Sequence, residues 1–295
     1  MIHVIVGPTG SGKTSLACKI SSKFDLPIIN ADAFQIYRDM DIGTAKIDKN
    51  DPLYQKHFLI DIISPFETYS VKQYRDDFDK IINDLISKNK EILICGGTGL
   101  YIKGALYDYS FPEIEIKDEH KYDDFSNEEL YKKLINLDPE SAKNIHQNNR
   151  KRVIRALNII DNSELTKSEN IARQNHELRF NKDEIEILFL NPNREELYSN
   201  INERVDKMFE DGLINEVENL LKKYDLSLTA SQAIGYKEVI DYINGNISLE
   251  ECKELIKKRS RNYAKRQITF FKHQFDTIEF NNKQDLFEYL LEKLK

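Results

Sequence analysis

The chain has 295 residues, and its 43 basic and 50 acidic side chains give a formal charge of −7. This length fits roughly two domains, or one large domain with an insertion. No apolar run reaches the roughly 18 residues that span a bilayer, and the first residues do not resemble a secretion signal. Cys18, Cys95 and Cys252 are far apart, which argues against a disulfide framework or a zinc site. We therefore expect a soluble cytoplasmic enzyme without membrane contact.

Short apolar runs alternate with longer helical patterns in the first part of the chain. We predict strands at residues 2–6, 27–31, 57–62, 91–95 and 184–190. We predict helices at residues 13–24 and 71–88. Such alternation is typical of an α/β protein with a parallel sheet flanked by helices. Each predicted strand is nearly continuously apolar, as a strand covered on both faces should be.

The pattern changes after the fourth predicted strand. Residues 113–175 read as a helical insertion domain, in which Asp138-Pro139 marks a helix start. We assign residues 1–112 and 176–295 to a catalytic core with C-terminal helices. These helices are predicted at residues 194–210, 213–224, 231–244 and 248–272, with Gly212 and Gly245 as helix stops.

The loop after the first predicted strand matches the pattern GxxxxGK[ST] in full. Its residues are Gly7, Pro8, Thr9, Gly10, Ser11, Gly12, Lys13 and Thr14. In such a P-loop the glycines let backbone N–H groups face one centre, Lys13 supplies a positive charge, and the Thr14 hydroxyl can ligate Mg²⁺. The motif predicts a P-loop NTPase-like fold and a site for a diphosphate or triphosphate. The alternative is a glycine-rich turn without a ligand.

Two carboxylates lie at or just after the ends of predicted strands, where α/β proteins bind their ligands. Asp32 follows the second strand and is a candidate general base, although an aspartate there can also cap a helix. Asp61 lies near the end of the third predicted strand. It is either a metal-binding acid or a strand-end residue bonded to a nearby backbone N–H.

Positive charge is concentrated in two segments despite the acidic total. Arg150, Lys151, Arg152 and Arg155 form the first cluster, and residues 257–272 contain the second, with no acidic residue between Glu254 and Asp276. Local clusters of this kind can bind phosphate. A solvated helix face is the commoner explanation of a single charge run.

Together, these segments resemble one family, the bacterial-type tRNA dimethylallyltransferases, also called tRNA isopentenyltransferases. The resemblance covers nearly the whole chain in order. It is carried by GPTGSGKT, NADAFQIYRDMDIGTAK, HFLIDIISP, GGTGLYIKGAL, LDPESAKNIHQNNRKRVIRAL, MFEDGLINEVENLL, QAIGYKEVIDY and YAKRQITFFK.

The resemblance implies transfer of the dimethylallyl group from dimethylallyl diphosphate to the N6 amino group of the adenosine immediately 3′ of the anticodon in tRNA. The P-loop would hold the diphosphate, with Lys13 and a Mg²⁺ cofactor at Thr14 neutralising its charge. Asp32 would take the N6 proton. The partners would be the tRNA anticodon stem-loop and dimethylallyl diphosphate, and the enzyme would be a monomer.

The resemblance also implies which residues meet the tRNA. The target base would leave its stack, and Gln35 would hydrogen-bond an edge of the adenine. Phe270-Phe271 stands where the family usually has a tryptophan, so an apolar anchor is kept. The full set of implied tRNA contacts is Asp32, Ala33, Phe34, Gln35, Thr98, Lys151, Arg152, Val153, Ile154, Arg155, Gln232, Gly235, Tyr236, Lys237, Lys265, Arg266 and Gln267.

Two other functions are consistent with the P-loop. A small-molecule kinase would hold ATP there and use Asp32 to deprotonate a hydroxyl acceptor. A non-catalytic RNA-binding switch would use a nucleotide only to change shape. Neither the basic tail nor the QNNRKRVIR cluster is needed by a small-molecule kinase.

Overall fold

The computed structural model describes residues 1–88, 90–108, 120–163, 166–172 and 177–294. The chain divides into two compact units. Unit 1 consists of Met1–Leu106 and Phe180–Lys295, and unit 2 is Tyr107–Arg179. The domain bounds predicted from the sequence, at residues 112–113 and 175–176, lie outside the described residues and stay predictions.

Unit 1 is built on a parallel sheet. Its strands are β1 Ile2–Val6, β2 Ile28–Asn30, β3 His57–Phe58, β4 Ile92–Gly96, β5 Ile185–Leu190 and β6 Ile278–Phe280. Their order across the sheet is β3-β2-β4-β1-β5-β6, and all of these neighbours pair in parallel. Every residue of β1 and β4 is buried. The predicted parallel sheet flanked by helices is therefore confirmed.

The helices account for most of the remaining described residues. They are α1 Lys13–Phe24, α2 Val71–Ser87, α3 Gly99–Leu106, α4 Asn127–Leu137, α5 Pro139–Asn144, α6 Arg150–Asn162, α7 Lys167–Ala172, α8 Arg194–Glu210, α9 Leu213–Lys223, α10 Leu228–Ser231, α11 Tyr236–Ile243, α12 Leu249–Gln274 and α13 Lys283–Lys293. The bounds of α1 and α8 agree with the prediction, and those of α2, α9 and α12 differ from it by no more than a turn.

Two predictions about unit 1 were wrong in part. The third strand ends at Phe58 because Leu59 and Asp61 have φ angles of 58° and 53°, which interrupt an extended chain. The helix predicted at 231–244 begins only at Tyr236, because Gly235 just before it has a φ of 99°, and Ser231 is the last residue of the separate helix α10. β6 and α13 have no counterpart in the prediction.

Unit 2 contains α4 to α7 and its own apolar core. Asp138 and Pro139 begin α5 as predicted, and the Asp138 Oδ1 atom accepts a hydrogen bond from the Ser141 N–H at 3.0 Å. The same carboxylate accepts from the Ser168 N–H through Oδ2, also at 3.0 Å. One buried aspartate therefore joins the starts of α5 and α7.

The sheet brings three loops of unit 1 together at its carboxyl edge. β4 lies between β1 and β2, so the segments that follow these three strands are neighbours. The Thr98 N–H donates to the Ala31 carbonyl at 3.0 Å, joining the ends of β4 and β2. A Cβ atom at Gly96 would lie 2.2 Å from that carbonyl oxygen, so the close approach requires glycine. In the described part of the chain no helix is both long and apolar enough to cross a bilayer.

Candidate active site

The P-loop connects β1 to α1. Gly10 and Gly12 have φ angles of 80° and 84°, which turn the backbone sharply into the first residue of α1. That residue is Lys13, which is buried and donates from Nζ to the Pro8 carbonyl at 3.2 Å. Burial lowers the pKa of Lys13. Its charge is therefore costly until an anion binds beside it.

Asp32 lies at the end of β2 and lines one cavity with Lys13 and Thr14. Its Oδ1 atom accepts a hydrogen bond from the Phe34 N–H at 3.0 Å. This is the local bond that a capping aspartate makes, yet none of the named helices begins here. The carboxylate thus fixes a turn and also faces the cavity that the P-loop borders.

Arg204 is a site residue that the sequence did not reveal. It extends from α8 into the cavity, where Nη1 donates to the Thr9 hydroxyl at 3.1 Å and Nη2 to the Thr44 carbonyl at 3.3 Å. Burial lowers the pKa of Arg204. Lys13, which is buried, and Arg204, which is half-buried, therefore share the cavity with a single carboxylate among its described lining residues, an arrangement that favours an anionic ligand.

The other side of the cavity is apolar. Its wall is formed by Ile201, Val205, Met208, Ala233, Ile234 and Ile256. These side chains come from α8, α12 and the segment between α10 and α11. The cavity can therefore accommodate a molecule with a charged phosphate end and a hydrocarbon end.

Gln35 and Thr98 are both tied to the loops of the site. Gln35 is buried, lines the cavity and donates from Nε2 to the Thr44 carbonyl at 3.1 Å. Thr98 accepts from the Ala33 N–H at 2.9 Å through its hydroxyl oxygen. Ala33 and Phe34 lie in the turn that Asp32 fixes. The structure thus brings the predicted residues 32–35 and Thr98 together.

The basic helix α12 contributes Tyr263 and Gln267 to the cavity. Gln267 accepts from the Thr9 N–H at 2.8 Å through Oε1 and donates to the Gly97 carbonyl at 2.8 Å through Nε2. Tyr263, another residue missed in the sequence, has its pKa raised to about 12 by burial and by Asp32. Its hydroxyl therefore stays protonated at neutral pH. Lys265 and Arg266 point outward and are exposed.

Four further predicted tRNA contacts, Gln232, Gly235, Tyr236 and Lys237, are not among the described cavity residues. Gln232 is exposed and accepts from Lys237, whereas Gly235 is buried. Tyr236 has no exposed surface, and its hydroxyl donates to Glu216. Its side chain therefore supports the site from the interior. Its role as a tRNA contact stays a prediction.

In unit 2, Lys151, Arg152 and Arg155 lie exposed on α6, Ile154 is half-buried, and Val153 is in the core. Arg152 and Arg155 line a cleft with Lys167 of α7. Burial, followed by the positive charge of Arg152, lowers the pKa of Lys167. Three cations therefore line this cleft together with Glu140 and Glu169, and cations are what a phosphate-binding surface requires.

The structure does not support a metal-binding role for Asp61. Its carboxylate accepts from Lys46 at 2.7 Å and from the Tyr54 hydroxyl at 2.6 Å, and it is not among the cavity residues. Within the described residues there is no group of three or more His, Cys, Asp or Glu side chains that could hold a metal. Mg²⁺ commonly takes few protein ligands and completes its shell with phosphate oxygens and water. The Thr14 hydroxyl at the cavity fits that pattern.

Comparison with known proteins identifies close relatives. A family model described as IPP transferase matches residues 35–274, and one described as Isopentenyl transferase matches residues 1–62. A tRNA dimethylallyltransferase of Staphylococcus haemolyticus is 39% identical, over 99% of this chain and 90% of its own length. One from a Thermoanaerobacter species is 41% identical, over 99% of this chain and 98% of its own length.

Solved structures agree with the sequence matches. A tRNA delta(2)-isopentenylpyrophosphate transferase from Staphylococcus epidermidis has a TM-score of 0.68 and 36% identity, over 99% of this chain and 98% of that chain. A eukaryotic dimethylallyltransferase described as acting on tRNA has a TM-score of 0.79 and 26% identity, over 99% of this chain and 79% of that chain. These relatives support a transferase and not a small-molecule kinase. The chain therefore belongs to the IPP transferase family, the family of the tRNA dimethylallyltransferases.

Proposed function

We propose that this enzyme transfers the dimethylallyl group of dimethylallyl diphosphate to the N6 amino group of the adenosine immediately 3′ of the anticodon in tRNA. The observation that carries the proposal is the composition of one cavity. Lys13 of the P-loop and Arg204 of α8 line it together with an apolar wall and the Asp32 carboxylate. These features suit, in turn, the diphosphate, the prenyl chain and the proton that the amine must lose.

The reaction exchanges one bond for another. The bond between the first prenyl carbon and the diphosphate oxygen breaks, and the oxygen keeps the electron pair. The N6 lone pair forms the new bond to that carbon, and Asp32 accepts the proton that nitrogen loses. An exocyclic amine is a weak nucleophile because its lone pair is delocalised into the ring. Stabilisation of the leaving group is therefore as important as the base.

The diphosphate is held by the chain's own donors. Lys13 and Arg204 line the cavity, where they would neutralise the negative charge that grows as the carbon–oxygen bond breaks. We propose that Thr14 holds Mg²⁺, which when bound would supply further charge neutralisation to the diphosphate oxygens. Ile201, Val205 and Met208 would exclude water from the allylic carbon.

We further propose that the tRNA covers the cavity with its anticodon stem-loop. The flipped adenine would meet residues 32–35 and Thr98. Exposed cations of α12, Lys265 and Arg266, are available for the RNA backbone beside the cavity. Gln232 to Lys237 and the α6 cluster would extend these contacts.

We also propose that the enzyme acts as a monomer in the cytoplasm, and sedimentation of the purified chain with and without tRNA tests the oligomeric state.

The deciding experiment incubates the purified protein with radiolabelled dimethylallyl diphosphate, Mg²⁺ and unmodified tRNA, followed by nucleoside analysis. We expect label in N6-(dimethylallyl)adenosine, and no transfer when the adenosine beside the anticodon is replaced by guanosine. A parallel reaction with EDTA tests the proposed metal. ATP consumption that depends on a small acceptor, without prenyl transfer, would overturn the proposal.

A further inference from the structure

The carboxylate of Glu216, on α9, holds the loop at residues 41–44. Its Oε2 atom accepts hydrogen bonds from the N–H groups of Asp41 at 3.0 Å and Ile42 at 2.7 Å. Its Oε1 atom accepts from the Gly43 N–H at 3.2 Å. Three successive N–H groups that face one point form an anion-binding concavity. Here the anion is a side chain of the protein, brought from a distant part of the sequence.

Tyr236 completes the partners of this carboxylate. Its hydroxyl donates to Glu216 Oε1 at 2.6 Å, and burial, followed by the charge of Glu216, raises the pKa of Tyr236 well above its ordinary value. The hydroxyl therefore remains a donor. The tyrosine ring also packs on Gly43, where a Cβ atom would lie 2.5 Å from a ring carbon. Glu216, Tyr236 and the loop thus form one closely packed arrangement.

The last residue of this loop, Thr44, has a backbone carbonyl that accepts hydrogen bonds from two residues of the cavity. The Thr44 carbonyl accepts from Gln35 at 3.1 Å and from Arg204 at 3.3 Å. The next residue, Ala45, has a φ of 49°, a conformation that a residue with a Cβ rarely adopts. Such a conformation persists only when surrounding contacts hold it. The position of the shared carbonyl therefore depends on how firmly the loop is fixed.

We propose that Glu216 is a positioning residue for the transfer reaction, fixing residues 41–44 so that the Thr44 carbonyl holds Arg204 and Gln35 in place. The inference rests on the proposed function, because it gives Arg204 and Gln35 their roles toward the diphosphate and the adenine. Glu216 is not among the cavity residues and acts only through the loop. The loop supports Arg204, which faces the diphosphate, and Gln35, which faces the adenine. A change at Glu216 therefore affects the binding of both substrates.

The test compares two Glu→Gln variants on the same helix. Glu216→Gln loses one of the two acceptor oxygens and sets an NH₂ group against a donor. Glu218→Gln is the matched control, since Glu218 is 44% exposed and pairs only loosely with Lys222, at 3.9 Å. We expect Glu216→Gln to lower kcat/KM about 10- to 100-fold, the usual effect of small displacements in a site, and to raise KM for both substrates. Glu218→Gln should stay within about 2-fold of the wild type.

A residue that served only folding would give a different result. Loss of folded enzyme lowers kcat and leaves both KM values unchanged, and that pattern would overturn the proposal. If Glu216→Gln does not fold, Tyr236→Phe replaces it as the test, because it removes one donor and keeps the ring. The expected rise in KM for dimethylallyl diphosphate is then about 2- to 10-fold, as for one lost hydrogen bond. An unchanged KM in that variant would overturn the proposal as well.

Hydrogen exchange gives a readout that does not require activity. The amide protons of residues 41–43 should exchange faster in Glu216→Gln than in the wild type, and at the wild-type rate in Glu218→Gln. Unchanged exchange in Glu216→Gln would overturn the positioning role. If the wild type transfers no prenyl group, the proposed function fails, while the exchange result still decides whether Glu216 fixes the loop.

Discussion

At the scale of single residues, Asp32 is the one acidic side chain among the described residues that line the cavity. Asn at this position keeps the size and the bond from the Phe34 N–H but cannot accept a proton. We expect Asp32→Asn to lower the rate of transfer by about 10² to 10⁴-fold, the usual contribution of a general base, with tRNA and diphosphate affinity retained. Single-turnover transfer and filter binding measure the two quantities separately.

The matched control for this change is Asp84→Asn on α2. Asp84 is 55% exposed and pairs with Lys88, one turn away. The Asp84→Asn variant should transfer the prenyl group at the wild-type rate. A rate for Asp32→Asn within a factor of a few of the wild type would remove Asp32 from the mechanism.

Arg204 is the second residue with a distinct prediction. Lysine would keep the positive charge but could not donate to the Thr9 hydroxyl and the Thr44 carbonyl together. We expect Arg204→Lys to weaken pyrophosphate binding and raise KM for dimethylallyl diphosphate about 10- to 100-fold, as for one or two lost charge-assisted hydrogen bonds. Calorimetry with pyrophosphate measures the first effect. The control is Arg194→Lys, an exposed residue of the same helix, for which both constants should be unchanged.

The role of Asp32 can be predicted from the sequence, whereas that of Arg204 cannot. Asp32 directly follows the predicted second strand, and Lys13 belongs to the P-loop, which is recognised by its spacing. Arg204 has only a weak signal. It is a charged residue on the apolar face of α8, next to Ile201 and Val205, and its partners come from two distant loops. Contacts of that kind depend on the tertiary structure and leave no local pattern.

At the scale of elements, α12 connects the two loops that border the diphosphate end of the cavity. Gln267 bonds the P-loop at Thr9 and the turn after β4 at Gly97. Gln267→Leu would leave the half-buried Thr9 N–H and the buried Gly97 carbonyl without these partners. We expect a loss of about 1–3 kcal/mol in the free energy of unfolding, measured by urea denaturation. Thr269→Ala, exposed and bonded only within α12 at Lys265, should change it by less than about 0.5 kcal/mol.

A denaturation midpoint of Gln267→Leu equal to that of the wild type would contradict this connecting role. The apolar anchor expected beside Gln267 is present in the structure. Phe271 is fully buried, with ring centroids 5.8 Å from both Phe189 and Phe275. α12 is therefore held in the core independently of Gln267, which allows the variant to fold.

The elements themselves differ in how well the sequence predicts them. Helices α1 and α8 follow from helical spacing between clear starts and stops. β6 does not, because Ile278–Phe280 is three residues long and two of its side chains are exposed. Its existence depends on parallel pairing with β5, almost a hundred residues earlier. Short edge strands of this kind are fixed by their neighbour rather than by their own composition.

At the scale of the whole molecule, the net charge of −7 repels tRNA, so local clusters must supply the attraction. Arg152 and Arg155 line the basic cleft of unit 2. We expect the double change to Gln to reduce the slope of log K against log salt for tRNA binding by about 2, one for each lost phosphate contact. Fluorescence titration of labelled tRNA between low and physiological salt measures the slope.

The control for the salt slope is a double change in the same unit. Lys121 and Lys132 are 48% and 69% exposed, and they are paired with Asp161 and Glu128, neither of which is among the described cleft residues. Their replacement by Gln removes the same formal charge and should leave the slope unchanged. Equal effects of the two double variants would mean that the cleft contributes only through the total charge.

The burial of Lys13 has a thermodynamic consequence for the donor. In the free protein its pKa is lowered by burial, and its Nζ donates to a neutral carbonyl of the same loop. A bound diphosphate adds negative charge and raises that pKa again. Between the two pKa values, ligand binding is therefore coupled to proton uptake from the solvent. Titration calorimetry in two buffers of different ionisation enthalpy should give unequal apparent enthalpies, and donor affinity should decline as the pH becomes alkaline.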